Sequence, residues 1–563
     1  MDGYVPLPPL PARIQRLNEL AYDLWWSWNA QARDVFRDLD YPLWRFTDHN
    51  PVLLLHLVEA DRLAHAAADP EFLRLFDAAI AALDVVRSGA GTWWGRQWPS
   101  AAAQVDNRSV ACIAPAFALH QALPLDCDGR GVAAGDFCKE ASDLGVPLVA
   151  VGLMHPRGYV HQQLTALGWQ EEHVELLDWS DAPITPAFAV DGKRVAFGVD
   201  LEGGTVQVQV WQVRAGSATL YLIDADLPAN TATDRAISAA FGADGPAAAA
   251  RRRALLETGA AQALGLLGIA PAATIDARDI GHGIHVPGWI ARDIAVLVEQ
   301  HVGQDWRDHQ DEAGWWQGMS AIPDGELWAA RQRLRRYLID FARARARRRW
   351  TREQAGGAVL VAQGTLLDPD ALTIGYASRV DDDYRPDVLF QDAERLAAIL
   401  TARRRPVQII FAGRAEAADS AAKVHLQRIF TRALDPAFGG RIAFLEDCDL
   451  HAARLLVQGC DLWLTMPRRG RAPSLGTLKA AINGVPALTI EPSSHDVTGS
   501  REFYRHLEEE IVPAFYHRDR AGVPAEWVGR VRQTAAAGIP RFTARRIVKA
   551  ATEKLYNPSL RHV

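Results

Sequence analysis

CDLWLTMPRRGRAPSLGTLKAAINGVPALTIEP, Cys460–Pro492, sets out an apolar run, a loop of arginine, serine and glycine, a helix-like segment and a second apolar run. Cys460–Pro467 and Pro486–Pro492 read as strands, with a helix around Lys479 between them. A strand, a glycine-containing loop and a helix N-terminus form an anion site, because the first N–H groups of a helix lack intrahelical partners and point outward. A lysine just inside such a helix pairs with an anion or, if desolvated, forms a Schiff base with a carbonyl group. An ordinary helix-surface lysine is the alternative reading.

The same alternation continues upstream. Val359–Gly364 (VLVAQG), Ala371–Ala377 (ALTIGYA), Pro406–Gly413 (PVQIIFAG) and Arg441–Asp447 (RIAFLED) read as further strands with helices between them. That pattern predicts an open parallel sheet covered on both faces. An earlier α/β region begins near Ser109. Val146–Met154 (VPLVAVGLM) is apolar throughout, as a buried parallel strand is. Three period-two segments within Arg194–Leu227 predict antiparallel strands. Arg251–Leu267 reads as an amphipathic helix, and helices dominate Trp289–Arg352 and the tail from Arg501.

Residues 11 to about 105 read as helical, with Leu17, Leu20, Leu24, Trp25 and Trp28 at helical spacing. Trp25, Trp26, Trp28, Phe36, Trp44 and Phe46 are crowded here. They form either a packed aromatic core or a surface on which sugar rings stack; the sequence leaves both open. The expected organisation is a helical N-terminal domain over 1–105 and a first Rossmann-like domain over 106–355. A second Rossmann-like domain over 356–500 carries the lysine, and C-terminal helices occupy 501–563. A ligand is expected at the carboxyl ends of the strands.

Composition narrows the function. A net charge of −7 gives no global basic field for nucleic acid. Arg331–Arg349 is the local exception, read as a solvated helix face or a polyanion contact. The five cysteines, Cys112, Cys127, Cys138, Cys448 and Cys460, have neither CxxC nor metal-site spacing. Reduced thiols, no metal and a cytoplasmic location are therefore expected. The N-terminus lacks the charge and apolar pattern of a signal peptide, and no 18-residue apolar run predicts a membrane span.

In this order, LAYDLWWSWNAQARDVFRDLD, GVAAGDFCKEASDLGVPLVAVGLM, GWQEE (Gly168–Glu172), IHVPGWI, PVQIIFAG, RIAFLEDCDLHAARLLVQGCDLWL and HLEEEIVPAFYHRD resemble the α-glucan (glycogen and starch) phosphorylase family. The resemblance is to its prokaryotic branch with an extra N-terminal helical domain, and it spans nearly the whole chain. It implies two Rossmann-like domains of the GT-B glycosyltransferase type. The family reaction is reversible phosphorolysis of α-1,4-glucan ends to glucose 1-phosphate, with α-glucan or maltodextrin and phosphate as partners. The implied cofactor is pyridoxal phosphate, held as a Schiff base on a lysine that Lys479 matches. The cofactor phosphate lies beside inorganic phosphate, so cations must gather there. A homo-oligomer is compatible with the resemblance.

Carried over residue by residue, the resemblance assigns Arg379, Arg385 and His120 to catalysis, and Lys479, Gly129, Gly131, Ser474, Gly476 and Thr477 to cofactor and phosphate binding. Several positions depart from the family. Asp128 replaces the first glycine of the loop Asp128–Asp136, Tyr384 stands at the phosphate lysine on an ungapped alignment, and Asp381, Asp382 and Asp383 bring negative charge to a dianion site. The loop before Lys479 is shortened and has Leu475 but no sugar-binding glutamate, while Ala116 replaces a glutamate upstream of His120. Between Ile269 and Ile284 a long family segment, with an active-site histidine, is reduced to a remnant at Gly281–Gly283. Such groups act as a unit, so weakened or lost phosphorolysis is expected. The alternatives are a glucan-binding or regulatory protein without catalysis, and a transferase using a sugar nucleotide.

Overall fold

The computed structural model describes residues 5–99, 109–123, 125, 129–157, 160–239, 246–277, 280–353, 356–380, 386–466, 474–490 and 498–556. It is a mixed α/β structure with parallel sheets, divided into two compact units. The first comprises Met1–Val160, Val174–Gly288 and Ala544–Val563; the second comprises His161–His173 and Trp289–Thr543.

Capping residues set the helix starts of the N-terminal segment. Asn29, Asp40, Asn50 and Asp69 each accept a backbone N–H from the first turn that follows, and Pro42, Pro51 and Pro70 occupy first-turn positions. Among the six crowded aromatics, Trp25, Trp26, Trp28, Phe36 and Trp44 are buried, whereas Phe46 is 76% exposed. The rings of Trp26, Phe36 and Trp44 meet at 5.7–6.1 Å. For those five the aromatic-core reading holds.

In chain order the first strands are β1 (Val110–Ile113), β2 (Leu148–Leu153), β3 (Val160–Leu164), β4 (Gln170–Val174), β5 (Thr185–Pro186), β6 (Ala196–Leu201), β7 (Gly204–Ala215), β8 (Ala218–Asp224) and β9 (Ala273–Asp276). The sheet of the first unit has the order β5-β7-β8-β2-β1-β9, with β6 also on β7. β8, β2, β1 and β9 run parallel, and β6, β7 and β8 form the antiparallel part. Alternation along each strand feeds two cores. Cys112, Ala150, Val213 and Leu220 join the N-terminal helices and helix Gly129–Leu144. Ala111, Val151, Val208 and Ile223 instead pack with Leu255, Ala260 and Ala263 of helix Pro246–Leu266. Both faces are covered, which is why the strand sequences are so apolar.

The second unit holds β10 (Leu372–Ala377), β11 (Val407–Ala412), β12 (Ile442–Leu445), β13 (Leu462–Thr465) and β14 (Ala487–Thr489). Every pair is parallel, in the order β12-β11-β10-β13-β14. The hairpin His161–His173 belongs to this unit. Gln162 donates to Gly413 O at 2.9 Å, Gln170 donates to Ala415 O at 2.9 Å, and Lys423 reaches Glu172 at 2.8 Å.

Two expectations are corrected. Val359–Gly364 is not a strand, because Gly357–Ala362 forms a helix. Its apolar run buries Val359 and Ala362 at helical spacing, and Gly364 at φ 101° turns the chain. The basic run is not simply a solvated face, since Arg331 and Arg335 are each 1% exposed within helix Asp324–Glu353. Arg331 donates to Gln458 O (2.6 Å), Asn483 O (3.3 Å) and Cys460 O, gathering carbonyls left unpaired where two helices end. Arg335 pairs with Asp461 at 2.8 Å. No helix of the described residues is long and apolar enough to cross a membrane.

Candidate functional site

The sheet of the second unit reverses its strand order between β10 and β13, and in open α/β sheets ligands bind outside the carboxyl ends of the strands at such a point. Arg379 follows the end of β10, and the segment leading to Lys479 follows the end of β13. The topology therefore brings these two site residues to one edge of the sheet, although a hundred residues separate them in the chain.

Helix Leu475–Ile482 starts at Ser474, whose hydroxyl accepts the Thr477 N–H at 3.3 Å and lies 3.0 Å from the Thr477 hydroxyl. Gly476 is held to glycine by packing, because a Cβ there would stand 2.5 Å from the indole of Trp463 in β13. One turn further on, Lys479 is 7% exposed, and its Nζ lies 3.5 Å from the centre of the Trp289 ring. A cation against an aromatic face in a desolvated setting is worth about 2 kcal/mol.

Asn483 fixes that arrangement. Its side-chain amide donates to Trp289 O at 3.0 Å and to Lys479 O at 2.9 Å, while its oxygen accepts the Ala291 N–H at 2.7 Å. Gln458 donates to the same Trp289 carbonyl at 2.9 Å. The lysine backbone and the tryptophan backbone are thus tied to one side chain. Beside them, burial pushes the Cys448 thiol up to about 12, reinforced by Asp449 and opposed by Arg345 and Lys479. Cys448 is a neutral thiol at physiological pH.

Arg379 is placed differently. Its guanidinium meets Glu416 at 2.5 Å, with both side chains substantially exposed. Arg385, Asp381, Asp382, Asp383 and Tyr384 lie outside the described residues, as do Asp128 and the loop residues 467–473.

His120, Gly129 and Gly131 belong to the first unit, in the β1–helix–β2 crossover, and the expected loop Asp128–Asp136 is corrected: from Gly129 onward it is the start of helix Gly129–Leu144. His120 is 3% exposed, its Nδ1 accepts the Ala122 N–H at 3.1 Å, and its ring meets Trp26 edge-on at 4.7 Å. Gly131 O accepts the Ala118 N–H at 2.9 Å, which binds the preceding loop to the helix. Among the described residues no cluster of histidine, cysteine, aspartate or glutamate is arranged to hold a metal ion.

Sequence reasoning missed Trp289, Asn483 and Glu416. Trp289 and Asn483 are almost two hundred residues apart, and no local pattern announces that one amide bridges Trp289 to Lys479.

The second unit is thus a parallel α/β sheet with a buried lysine behind its switch point. Along nearly its whole length the chain is similar to the α-glucan phosphorylases. A glycogen phosphorylase of Aquifex aeolicus is 29% identical, over 96% of this chain and 98% of that protein. A maltodextrin phosphorylase of Thermococcus litoralis is 25% identical, and a glycogen phosphorylase of Mycobacterium tuberculosis 28%; each match covers 98% of this chain and 82% of the relative. These alignments run to 689, 697 and 717 positions against a chain of 563 residues, so the relatives carry segments without a counterpart here. Residues 10–123 also match a family described as "Protein of unknown function (DUF3417)".

Proposed function

We propose that this chain is a GT-B type protein, two Rossmann-like domains behind a helical N-terminal domain, that acts on α-1,4-glucan ends and phosphate with pyridoxal phosphate on Lys479. We further infer that its phosphorolysis is weak. The observation that carries the reading is the Lys479 amine, buried and set against the Trp289 indole at 3.5 Å.

That geometry suits the cofactor's aldehyde and ring, which need a shielded amine and a flat apolar face. When bound, the group supplies a phosphate that exchanges a proton beside the substrate phosphate. The Lys479 side chain would hold it and Trp289 would exclude water beside it, while Asn483 ties the two backbones together. The Ser474 and Thr477 hydroxyls at the helix start are donors for an anion. Arg379 would have to leave Glu416 to serve one. That pairing is the observation favouring the second reading, a glucan-binding protein without catalysis.

Borohydride reduction of the purified protein with pyridoxal phosphate is expected to label the peptide containing Lys479, and Lys479→Ala to abolish the label. Glucose 1-phosphate release from maltodextrin and phosphate is expected to be slow. No label sinks the cofactor assignment; label without turnover establishes the second reading. A cytoplasmic location accompanies either outcome.

A further inference from the structure

The N-terminal helices carry a surface depression of about 780 Å³, lined by Arg37, Asp38, Asp40, Tyr41, Pro42 and Arg62. It is open to solvent rather than an enclosed cavity. We propose that it is a second glucan-binding subsite, apart from the lysine site; the choice of glucan rests on the function proposed above.

The argument begins with Tyr41, which is 55% exposed while Phe36 and Trp44 nearby in the chain are buried in the core. An exposed ring presents an apolar face and a hydroxyl, the combination that suits a sugar ring, whose C–H groups lie on one side and hydroxyls around the rim. Pro42 extends the apolar floor.

The polar wall is held in place before any ligand arrives. Arg62 donates to Leu39 O at 2.5 Å and to Asp38 O at 2.9 Å, satisfying carbonyls at the end of helix Ala30–Leu39. Arg37 bridges Asp34 at 2.8 Å and Asp38 at 3.2 Å. Asp40 accepts the Leu43 N–H at 2.9 Å. Fixed side chains lose little conformational freedom on binding.

Charge selects the ligand class. Two arginines and two aspartates line the depression, so their formal charges cancel. A phosphate or a polycation would meet as much repulsion as attraction. A neutral chain rich in hydroxyls finds donors from arginine, acceptors from aspartate and a ring to stack on.

The test is native electrophoresis of the full chain through gels containing glycogen, with thermal melting to confirm folding. Tyr41→Ala is expected to raise the apparent dissociation constant roughly fivefold, and Tyr41→Trp to preserve retardation. Phe46→Ala removes an exposed aromatic outside the depression and should change nothing. Wild-type mobility unaffected by glycogen, unchanged retardation of Tyr41→Ala, or an equal loss in Phe46→Ala would each overturn the proposal. Borohydride labelling of Lys479 reads the cofactor site separately, so failure of one assignment is distinguishable from failure of the other.

Discussion

Helices Gly129–Leu144 and Leu475–Ile482 each pack on a sheet with parallel strands, yet they surround buried charge differently. In the first, Glu140 meets Arg545 at 3.2 Å, while Asp143 accepts from Trp28 Nε1 at 3.0 Å and lies 2.9 Å from His285. Lys139 sits 5.7 Å from the centre of the Trp28 ring. Helix Leu475–Ile482 instead sets its one lysine against an indole at 3.5 Å. Carboxylates paired with cations staple the first helix to its neighbours, and in the second the closer ring shields the Lys479 amine from water. The glycines follow the same division of labour by packing: a Cβ at Gly135 would stand 2.3 Å from Ala118 O, and one at Gly476 would stand 2.5 Å from Trp463.

The sharpest way to break this comparison is Arg545→Ala. It leaves the carboxyl of Glu140, wholly buried, without its guanidinium, and at about pH 8, where the acid of the intact pair is ionised, should cost about 3–5 kcal/mol in denaturant unfolding. A loss below about 1 kcal/mol would show that the pair is no staple.

Next in size is a pH effect. Burial pushes Glu140 up to about 7 from 4.5, with His285 and Arg545 pulling it down and Asp143 adding to the rise. The folded state thus favours the protonated acid. This contribution is fully present below about pH 4.5 and is lost as pH rises through about 7, a swing of about 3 kcal/mol. Glu140→Gln should flatten that part of the stability profile between about pH 5 and pH 8. An unchanged slope would assign the titration elsewhere.

Gly135→Ala should cost about 2 kcal/mol, because a backbone carbonyl must move to admit the methyl group. Smallest is Ser474→Ala, where losing the cap costs about 1 kcal/mol. Since that hydroxyl also stands at the proposed anion site, the variant should weaken pyridoxal phosphate retention more than it lowers the melting temperature. Equal effects would reduce Ser474 to a cap.

Much of the parallel sheet of the second unit was legible because strands buried on both faces are largely apolar, as Pro406–Gly413 and Cys460–Pro467 are apart from Gln408, Asp461 and Thr465. The same property misled at Val359–Gly364, since a short apolar run has no period to separate strand from helix. Lys479 was legible as a lysine behind strand, loop and helix, but its burial was not, since the motif alone equally fits a helix-surface residue. The ring that covers it was not, because Trp289 comes from a distant segment through the amide of Asn483. Arg331 showed the opposite failure. Its sequence neighbours are basic and suggest solvent, whereas carbonyls at two helix ends draw it inside.

The hairpin and the C-terminal segment make the two units discontinuous in sequence, and this bears on synthesis. Val548 lies in the main core of the first unit, and Arg545 supplies the partner of Glu140. A nascent chain that has finished the strands of the first sheet still lacks both. It must hold unfinished apolar surface until more than 250 further residues, including the whole parallel sheet of the second unit, have emerged. The first unit to begin folding is therefore completed last, and its exposure to aggregation lasts as long as translation of the second.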